Sequence, residues 1–291
     1  MNKPWPSPAK INRFLHVLGR REDGYHSLQT AFQFLDYSDE LTFTLRDDER
    51  ILLLNALEGV PPEQNLIVKA AQFLQAKCTQ TCGVEISLTK KIPMGGGLGG
   101  GSSNAATTLV ALNELWGLNL SEQSLANIGL QLGADVPVFI YGRAAWAEGV
   151  GEQLQELTLD EPWFCVIVPA VSVSTADIFA DEELTRNSPP IKIVDFMQGN
   201  SRNDCEAVVC KRYPDVAEAI EWLQAHADSM AACTVKTRMT GTGACLFAGF
   251  ETMEAARSIC EQVPDKWQAF VAAGSNQSPL LTRLAQENSP T

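Results

Sequence analysis

The sequence predicts an α+β protein of two domains, and three observations support this fold class. In the first half, an alternating strand at 84–89 leads into a run of glycines and then into a helix. Near the end, a strand, a helix and a second strand follow one another between 240 and 272, as in a split βαβ, ferredoxin-like domain. Between them, residues 152–161 are acidic and loop-like. We therefore predict domains at 1–155 and 156–291.

The composition restricts the class of protein. The 291 residues are 45% hydrophobic and 20% charged, which suits a globular chain with one or two buried cores. The chain has no run of about 18 apolar residues, and residues 1–8 hold no apolar signal core. We therefore expect a cytoplasmic protein without a membrane partner. The formal net charge of −13 also argues against nonspecific binding to nucleic acid.

The cysteines and histidines argue against a zinc site. The chain has eight cysteines and three histidines, and no two cysteines have the C-x-x-C spacing of paired zinc ligands. In a cytoplasmic protein such cysteines are expected to be free thiols. No acidic metal-binding cluster is evident in the sequence either, so the metal ligands of this protein are left unknown. The oligomeric state, monomer or homodimer, is not readable from these features.

The first third of the chain is predicted to be mostly strands. An alternating strand at 11–17 and its return at 29–35 are joined by an Asp-Gly turn at 23–24. A further alternating strand follows at 41–45. A helix then begins after Asn65, because asparagine is a good N-cap residue and apolar residues recur at helical spacing behind it.

Four polar or aromatic residues accompany this hairpin, and each has two interpretations. Lys10 and Asn12 share one face of the first strand, where they form either a solvated strand edge or a pair of ligand-facing groups. Tyr25 and His26 come just after the turn. They either pack as ordinary loop residues or offer an aromatic face and hydrogen-bonding groups to a planar ligand.

The glycine run at 95–101 predicts an anion-binding loop. It contains six glycines in seven residues, and glycine adopts positive φ without steric cost. Residues 102–104 are Ser, Ser and Asn, which are good N-cap types, and the following helix would extend to Trp116 and end at Gly117. The first backbone N–H groups of a helix lack partners and lie at the positive end of its dipole. A phosphate chain would satisfy them.

Other interpretations of the glycine run are weaker. A flexible linker would not be flanked by an alternating strand and a capped helix. The G-x-G-x-x-G pattern is present, but in such a run it is nearly automatic, and Pro93 and Met94 interrupt the approach from the strand. A Walker A loop is excluded because no Lys-Ser or Lys-Thr pair follows the last glycine.

An isolated acidic residue, Asp135, follows the next predicted helix. That helix covers 121–132 and ends at Gly133, and an apolar strand is predicted from 136 to 139. A lone carboxylate in such a position is usually a surface or capping group. No charged residue is its near neighbour in the sequence, and a catalytic role for this carboxylate is implied only by the family resemblance given below.

The second half begins with a continuous apolar strand at 163–168, which is expected to be buried. Residues 171–179 lead into a helix, on which Phe179 is by itself best interpreted as a core aromatic residue. A linker is predicted at 187–190 and a glycine-rich turn that feeds an apolar strand at 240–247. Helices at 206–212, 216–226 and 252–263 and a final strand at 267–272 complete the prediction.

Three motifs together resemble those of the GHMP kinases, named for galacto-, homoserine, mevalonate and phosphomevalonate kinases. The phosphate loop of that family is similar to Pro93 through Ser103, and its third motif is similar to Thr240 through Phe247. The segments Pro8-x-Lys10-Ile11-Asn12 and Arg21-x-Asp23-Gly24-Tyr25-His26 resemble one branch, which phosphorylates an alcohol linked to cytidine diphosphate. The resemblance implies the GHMP kinase fold, with an N-terminal domain like ribosomal protein S5 and a ferredoxin-like C-terminal domain.

The resemblance also implies roles for individual residues. It makes Lys10 and Asp135 catalytic. The residues that it assigns to ATP are Asn65, Lys90, Pro93, Met94, Gly95, Gly96, Gly97, Leu98, Gly99, Gly100, Gly101, Ser102 and Ser103. The residues that it assigns to the cytidine-diphospho alcohol are Asn12, Tyr25, His26, Thr175 and Phe179. Of these, Tyr25 and Phe179 would sandwich the cytosine ring, and His26 would hydrogen-bond its edge. Around Thr175 this chain departs from the commonest form of the family, because some relatives carry prolines there.

The implied reaction transfers the γ-phosphoryl group of ATP to the 2-hydroxyl of 4-diphosphocytidyl-2-C-methyl-D-erythritol, in the non-mevalonate route to isoprenoid precursors. Mg²⁺ is inferred from phosphoryl-transfer chemistry. Asp135 either removes the hydroxyl proton or orients the hydroxyl, and Lys10 acts on the alcohol or on the γ-phosphate. Two other hypotheses remain: a GHMP kinase for another alcohol, such as homoserine or mevalonate, and a noncatalytic nucleotide-binding protein, which would be expected to lack Lys10 or Asp135.

Overall fold

The computed structural model describes residues 3–55 and 59–287. Its strands form one mixed sheet. Among the described residues, seven strands are hydrogen-bonded side by side in the order β3-β4-β2-β10-β7-β9-β8, while β1 and β5 pair with β2, and β6 pairs with β5. The strands are β1 (Trp5–Arg20), β2 (His26–Arg46), β3 (Ile51–Leu53), β4 (Gly83–Thr89), β5 (Ala145–Glu148), β6 (Gln153–Glu156), β7 (Trp163–Val168), β8 (Cys233–Met239), β9 (Leu246–Phe250) and β10 (Gln268–Ser275).

Helices cover the sheet in both halves, so the predicted α+β class is confirmed. The helices are α1 (Leu66–Gln75), α2 (Gly100–Leu115), α3 (Glu122–Leu132), α4 (Val136–Tyr141), α5 (Thr175–Ala180), α6 (Ile193–Met197), α7 (Glu206–Arg212), α8 (Pro214–Asp228), α9 (Met253–Cys260) and α10 (Pro279–Glu287). None of the helices in the described part of the chain combines the length and the apolar character that a bilayer crossing requires.

The first two strands form a long antiparallel hairpin around the predicted turn. Trp5 pairs with Leu41 at its open end and Arg20 with His26 beside the turn, where Gly24 has φ of 87°. The strands predicted at 29–35 and 41–45 are therefore one continuous strand, β2. Shifts of register along β1 bend the hairpin and let it reach from one half of the molecule to the other.

Helix α2 lies at the centre of the N-terminal half and begins earlier than predicted. Its N-cap is Gly99, with φ of 73°, and not one of the residues Ser102, Ser103 or Asn104. The expected caps are wrong because Ser103 and Asn104 are buried and hydrogen-bonded elsewhere, the first accepting from Ser7 and the second donating to Asp39. The expected end of the helix is confirmed, since Gly117 follows it with φ of 64°.

Two further predictions about local structure are wrong. Residues 136–139 are helical, within α4, because Pro137 occupies the first turn, where its missing N–H costs nothing, and the buried run packs on α3 and α2. A run of six apolar residues carries no periodicity that separates strand from helix. The segment expected to be a loop at 152–161 contains β6, which pairs with β5. Strand β8 and helices α6 and α10 were not predicted, because the sequence analysis assigned no element to their residues.

The C-terminal half packs α8 and α9 against the strands β8, β9, β7 and β10. Strand β7 has the predicted bounds, 163–168. Strand β10 pairs with β7 as far as Ala273, and its last two residues, Gly274 and Ser275, pair with β2. The final strand thus joins the two halves into one sheet, and the division after residue 155 stays a prediction.

One pair of cysteines differs from the expectation of free thiols. Cys78 and Cys82 form a disulfide in the loop between α1 and β4, so the prediction is wrong for this pair. The chain turns back over four residues there and brings the two Cα atoms to 6.5 Å, within the range that a disulfide spans. The six remaining cysteines are free, as predicted.

Candidate active site

A cleft of about 980 Å³ opens between the two halves, and it collects most of the residues that the sequence singled out. The hairpin contributes Lys10, Asn12 and His26, and the segment before α4 contributes Asp135. The glycine run lines one wall, and α5 lies against the far end. Residues from all the predicted motifs therefore meet in one place, although Lys10 and Thr242 lie 232 positions apart in the sequence.

The glycine run is a close-packed loop whose shape requires glycine. Gly95, Gly97 and Gly99 have φ of 68°, 74° and 73°, a region that residues with a Cβ rarely adopt. A Cβ on Gly97 would overlap the carbonyl oxygen of Thr240, and one on Gly96 would overlap the sulfur of Cys245. The loop therefore rests directly on the glycine-rich turn of the C-terminal half.

The carbonyl oxygens of the loop face the protein. The backbone N–H of Lys10 donates to the oxygen of Leu98 at 3.0 Å, and its ammonium donates to the oxygen of Gly97 at 2.9 Å. The N–H of Cys245 donates to the oxygen of Gly96 at 3.1 Å. With these acceptors satisfied, the N–H groups of the first turn of α2, which have no partner within the helix, are available to an anion in the cleft.

The buried carboxylate of Asp39, whose role was not predicted from the sequence, fixes the segment that leads into this loop. Oδ1 of Asp39 accepts from the backbone N–H groups of Lys91 and Ile92 at 2.7 and 2.8 Å. Oδ2 accepts from the ammonium of Lys90 at 2.6 Å and from the side-chain amide of Asn104 at 2.9 Å. The sequence gave no signal for this role, because Asp39 lies between two predicted strands and its partners are about 50 or more residues away.

Lys90 belongs to the same group of hydrogen bonds around Asp39. Its ammonium lines the cleft but also donates to the carbonyl oxygen of Ile92 at 2.6 Å. Burial lowers the pKa of Lys90, against the opposing effect of the Asp39 carboxylate. The ion pair fixes the segment that connects β4 to the glycine loop, and a role of Lys90 toward ATP stays a prediction.

Asp39→Asn is expected to destabilise the protein by about 2–4 kcal/mol, because an amide N–H₂ would face other donors and the half-buried ammonium of Lys90 would lose its counter-charge. Urea unfolding measures this change. Asp36→Asn is the matched control, since Asp36 lies on the same strand and accepts one backbone hydrogen bond, from Ala273. Equal losses in the two variants would contradict the role assigned to Asp39.

Lys10, Asn12 and Asp135 form a polar group at the centre of the cleft. The ammonium of Lys10 donates to Oδ1 of Asn12 at 2.5 Å and lies 3.5 Å from Oδ2 of Asp135. Lys10 is only 2% exposed, whereas the side chain of Asp135 is 36% exposed and makes no capping hydrogen bond to α4. The carboxylate is therefore held by the lysine and open to a ligand.

Asn12 is oriented from two sides. Its side-chain amide donates to the hydroxyl of Thr30 at 2.9 Å, and its backbone N–H donates to the hydroxyl of Thr240 at 2.9 Å. The solvated-edge interpretation of Lys10 and Asn12 is wrong, because both are buried and their polar atoms converge on the cleft.

The far end of the cleft contains the aromatic residues. The ring of His26 stacks on Phe179 with centroids 5.0 Å apart and planes inclined by 23°. Tyr25 lines the cleft but is 63% exposed, and the aromatic pair in this structure is His26 with Phe179 rather than Tyr25 with Phe179. The hydroxyl groups of Thr175 and Thr242 lie 2.8 Å apart on the adjacent wall.

Arg186, which was not among the predicted site residues, holds this end of the cleft in place. Its Nε donates to Nε2 of His26 at 3.2 Å, and its Nη2 donates to the carbonyl oxygen of Phe179 at 2.9 Å. Arg186 lies next to the predicted linker at 187–190, a region without a recognisable motif.

The remaining predicted residues divide into three kinds. Asn65 lines the cleft and also caps α1, its Oδ1 accepting from the N–H of Ile67 at 2.9 Å, so the capping interpretation is confirmed and a contact with ATP stays a prediction. Pro93, Met94 and Ser102 line the cleft. Ser103 does not line it, because its hydroxyl is buried against Ser7.

No dedicated metal cage is found in the parts of the chain that the structure describes, where no three His, Cys, Asp or Glu side chains converge on one point. Mg²⁺ in a nucleotide site is usually held by one or two protein groups and by the phosphates. The hydroxyl of Ser102 and the carboxylate of Asp135 both line the cleft, so the residues present fit such a partial set of ligands.

Comparison with known proteins identifies relatives of this chain. Residues 65–143 match the GHMP kinases N terminal domain, and residues 186–269 match the GHMP kinases C terminal domain. A 4-diphosphocytidyl-2-C-methyl-D-erythritol kinase of Pseudomonas fluorescens is 55% identical over 279 residues, which cover 96% of each chain. The same enzyme of Nitrosococcus oceani is 54% identical over 96% of this chain and 97% of its own.

Solved structures show the same likeness. A crystal structure of 4-(cytidine 5'-diphospho)-2C-methyl-D-erythritol kinase superposes with a TM-score of 0.80 at 30% identity, covering 94% of this chain and 99% of its own. A homoserine kinase from Cytophaga hutchinsonii has a TM-score of 0.64 at 18% identity, with 96% of each chain covered. At 18% identity, the likeness to the homoserine kinase shows a shared fold alone.

Proposed function

This chain belongs to the GHMP kinases, in the family of the 4-diphosphocytidyl-2-C-methyl-D-erythritol kinases, and from that premise we propose how its cleft works. The reaction is transfer of the γ-phosphoryl group of ATP to the 2-hydroxyl of 4-diphosphocytidyl-2-C-methyl-D-erythritol, which yields ADP and the 2-phosphate on the non-mevalonate route to isoprenoid precursors. The observation that carries the proposal is the convergence of Lys10, Asn12 and Asp135 between the glycine loop and the aromatic end.

The phosphates of ATP bind at the N-terminus of α2. The N–H groups of the loop and of the first helical turn, including that of Ser102, donate to phosphate oxygens, and the dipole of a 16-residue helix favours the negative charge. The wall that carries Asn65 receives the nucleoside. Because glycines at 95, 97 and 99 hold this conformation before ATP arrives, little ordering is needed on binding.

Asp135 and Lys10 act on the acceptor hydroxyl and on the transferring group. A carboxylate within about 3 Å of the 2-hydroxyl accepts its proton or a hydrogen bond from it, and both roles lower the barrier. Lys10 neutralises negative charge that develops between the alcohol oxygen and the γ-phosphate, and Asn12 holds the lysine in place. Phosphoryl transfer through a loose transition state depends mainly on such positioning and electrostatics.

Mg²⁺ would be contacted by the hydroxyl of Ser102 and the carboxylate of Asp135, and when bound it neutralises charge on the phosphates. The aromatic end binds the cytosine of the acceptor, through stacking on Phe179 or Tyr25 and a hydrogen bond to His26. Thr175 and Asn12 contact the remainder of this substrate. We place the protein in the cytoplasm, as a monomer or homodimer, with domains at 1–155 and 156–291.

The decisive experiment measures ADP release by the purified protein with ATP, Mg²⁺ and the cytidine-diphospho alcohol. Substrate-dependent ADP release is expected with this alcohol and not with homoserine or mevalonate, because neither offers a cytosine to His26. Activity on homoserine or mevalonate alone would leave the kinase assignment intact and refute the acceptor. Binding of ATP without turnover of any alcohol would refute the enzyme and favour a nucleotide-binding protein.

A further inference from the structure

Arg186 bridges the two aromatic walls at the far end of the cleft, without lining the cleft itself. Its guanidinium donates four hydrogen bonds within the described residues. One goes to Nε2 of His26, and the other three go to the carbonyl oxygens of Phe179, Asp181 and Leu184, at 2.9, 2.5 and 3.4 Å. The side chain thus fastens the end of α5, which carries Phe179, to the first residue of β2, which is His26.

The contact with His26 has a definite chemical consequence. A guanidinium has five N–H donors and no acceptor, so the nitrogen that it contacts must offer a lone pair. Nε2 of His26 is therefore unprotonated, and in the neutral ring the proton is on Nδ1. Nδ1 makes no hydrogen bond to any of the described residues, and the imidazole lines the cleft. A single N–H donor is left for a ligand.

The surroundings also keep the ring neutral. Burial and then the positive charges of Arg186 and Arg20 lower the pKa of His26 below its ordinary value of 6.5. A protonated ring would have to break the hydrogen bond from Arg186, since both imidazole nitrogens would then be donors. At neutral pH His26 consequently offers one donor and no free acceptor.

We propose that Arg186 is a positioning residue that fixes the Nδ1-protonated tautomer of His26, and that the cleft thereby selects a cytosine base over a uracil base. Cytosine presents an unprotonated N3, which accepts the hydrogen bond, whereas uracil presents an N3–H donor at the same place. When the N–H of His26 faces the N3–H of uracil, both donors stay unpaired. A buried unpaired group of this kind lowers the binding affinity by about tenfold to a hundredfold. This inference rests on the proposed function for its substrate.

The tautomer can be measured without any substrate. In protein with ¹⁵N-labelled histidine at about pH 7.5, where neutral imidazole predominates, the protonated and unprotonated ring nitrogens have separate chemical shifts. Only three histidines are present, and His26→Gln assigns the signals by removing one set. We expect the proton on Nδ1 of His26 in the wild type and on Nε2 in Arg186→Met. A proton on Nε2 in the wild type would overturn the proposal.

The kinetic test compares the cytidine substrate with its uridine analogue. Arg186→Met is expected to reduce the cytidine preference in kcat/KM by about tenfold and to leave the KM for ATP unchanged, and Arg186→Lys, which keeps a charged donor, should restore part of the preference. Arg212→Met is the matched control, because Arg212 pairs with Asp181 and does not contact His26. Equal losses in the two methionine variants would indicate a purely structural role and refute the proposal.

The two tests separate this inference from the proposed function. If the wild-type protein phosphorylates neither the cytidine nor the uridine alcohol, the proposed function fails. The tautomer of His26 in the free protein still decides whether Arg186 acts as we propose. If the cytidine alcohol is phosphorylated but the uridine analogue is used equally well, the function stands and the selectivity assigned to Arg186 is refuted.

Discussion

Asp135→Asn is expected to lower kcat by about two to four orders of magnitude, the range that general acid–base catalysis contributes. The amide that replaces the carboxylate accepts no proton and carries no charge opposite Lys10, which lies 3.5 Å away. ATP affinity measured without Mg²⁺ should change little, because Asp135 is not part of the glycine loop. The free energy of unfolding should fall by less than in Asp39→Asn: Lys10 loses its counter-charge, but Asp135 is 36% exposed and makes no capping bond to α4. Single-turnover rates, ATP binding and urea unfolding measure these three quantities.

Asp48→Asn is the matched control for this change. Asp48 has a similar side-chain exposure, 39%, and is also paired with a basic residue, Arg46, but it lies outside the cleft. Its variant should keep full activity. Asp135→Ala separates the two roles of the carboxylate: a base makes the Asn and Ala variants equally slow, whereas an orienting residue leaves the Asn variant faster. Full activity of both variants at Asp135 would contradict any role in the reaction.

Gly97→Ala is expected to weaken ATP binding by at least about tenfold and to destabilise the protein by about 2–4 kcal/mol. Two effects combine. The φ of 74° at Gly97 is unfavourable for a residue with a Cβ, and that Cβ would overlap the carbonyl oxygen of Thr240. The loop would have to move away from the turn beneath it, and its N–H groups would lose their alignment. Calorimetric titration with ATP and urea unfolding report the two losses.

Gly199→Ala isolates the first of these effects. Gly199 has φ of 83° and lies outside the cleft, and apart from its own chain neighbours no atom of the described residues lies within 4 Å of an added Cβ. Its variant should lose about 1 kcal/mol of stability from the backbone conformation alone and bind ATP normally. If Gly97→Ala behaves in the same way, the contact between the loop and Thr240 does not determine ATP binding.

Features that depend on neighbouring residues could be predicted from the sequence. The strand at 163–168 has the predicted bounds because its apolar run is continuous and ends at turn-forming residues. The Asp-Gly turn and the cap at Asn65 were also predictable, since each depends on one or two residues and their immediate hydrogen bonds. The motifs further identified Lys10 and Asp135, whose side chains the fold brings together.

Features that depend on distant partners could not be predicted. Ser103 and Asn104 are good caps by residue type, but the fold uses them inside α2, where Ser7 and Asp39 bind them. Asp39 itself has no local signal, because its four donors come from residues 51 to 65 positions later. Arg186 was missed for the same reason, since its contact with His26 spans 160 positions.

The support of the glycine loop by the turn at Thr240 and Cys245 has a consequence for the way the protein is made. Ribosomes add roughly 5–20 residues per second, so the loop is synthesised roughly 7 to 28 seconds before the turn that holds it. The strand that joins the two halves of the sheet, β10, comes later still. The proposed phosphate loop therefore lacks this support while the first half of the chain is being translated, and a chain terminated before 240 is expected to bind ATP more weakly than the whole chain.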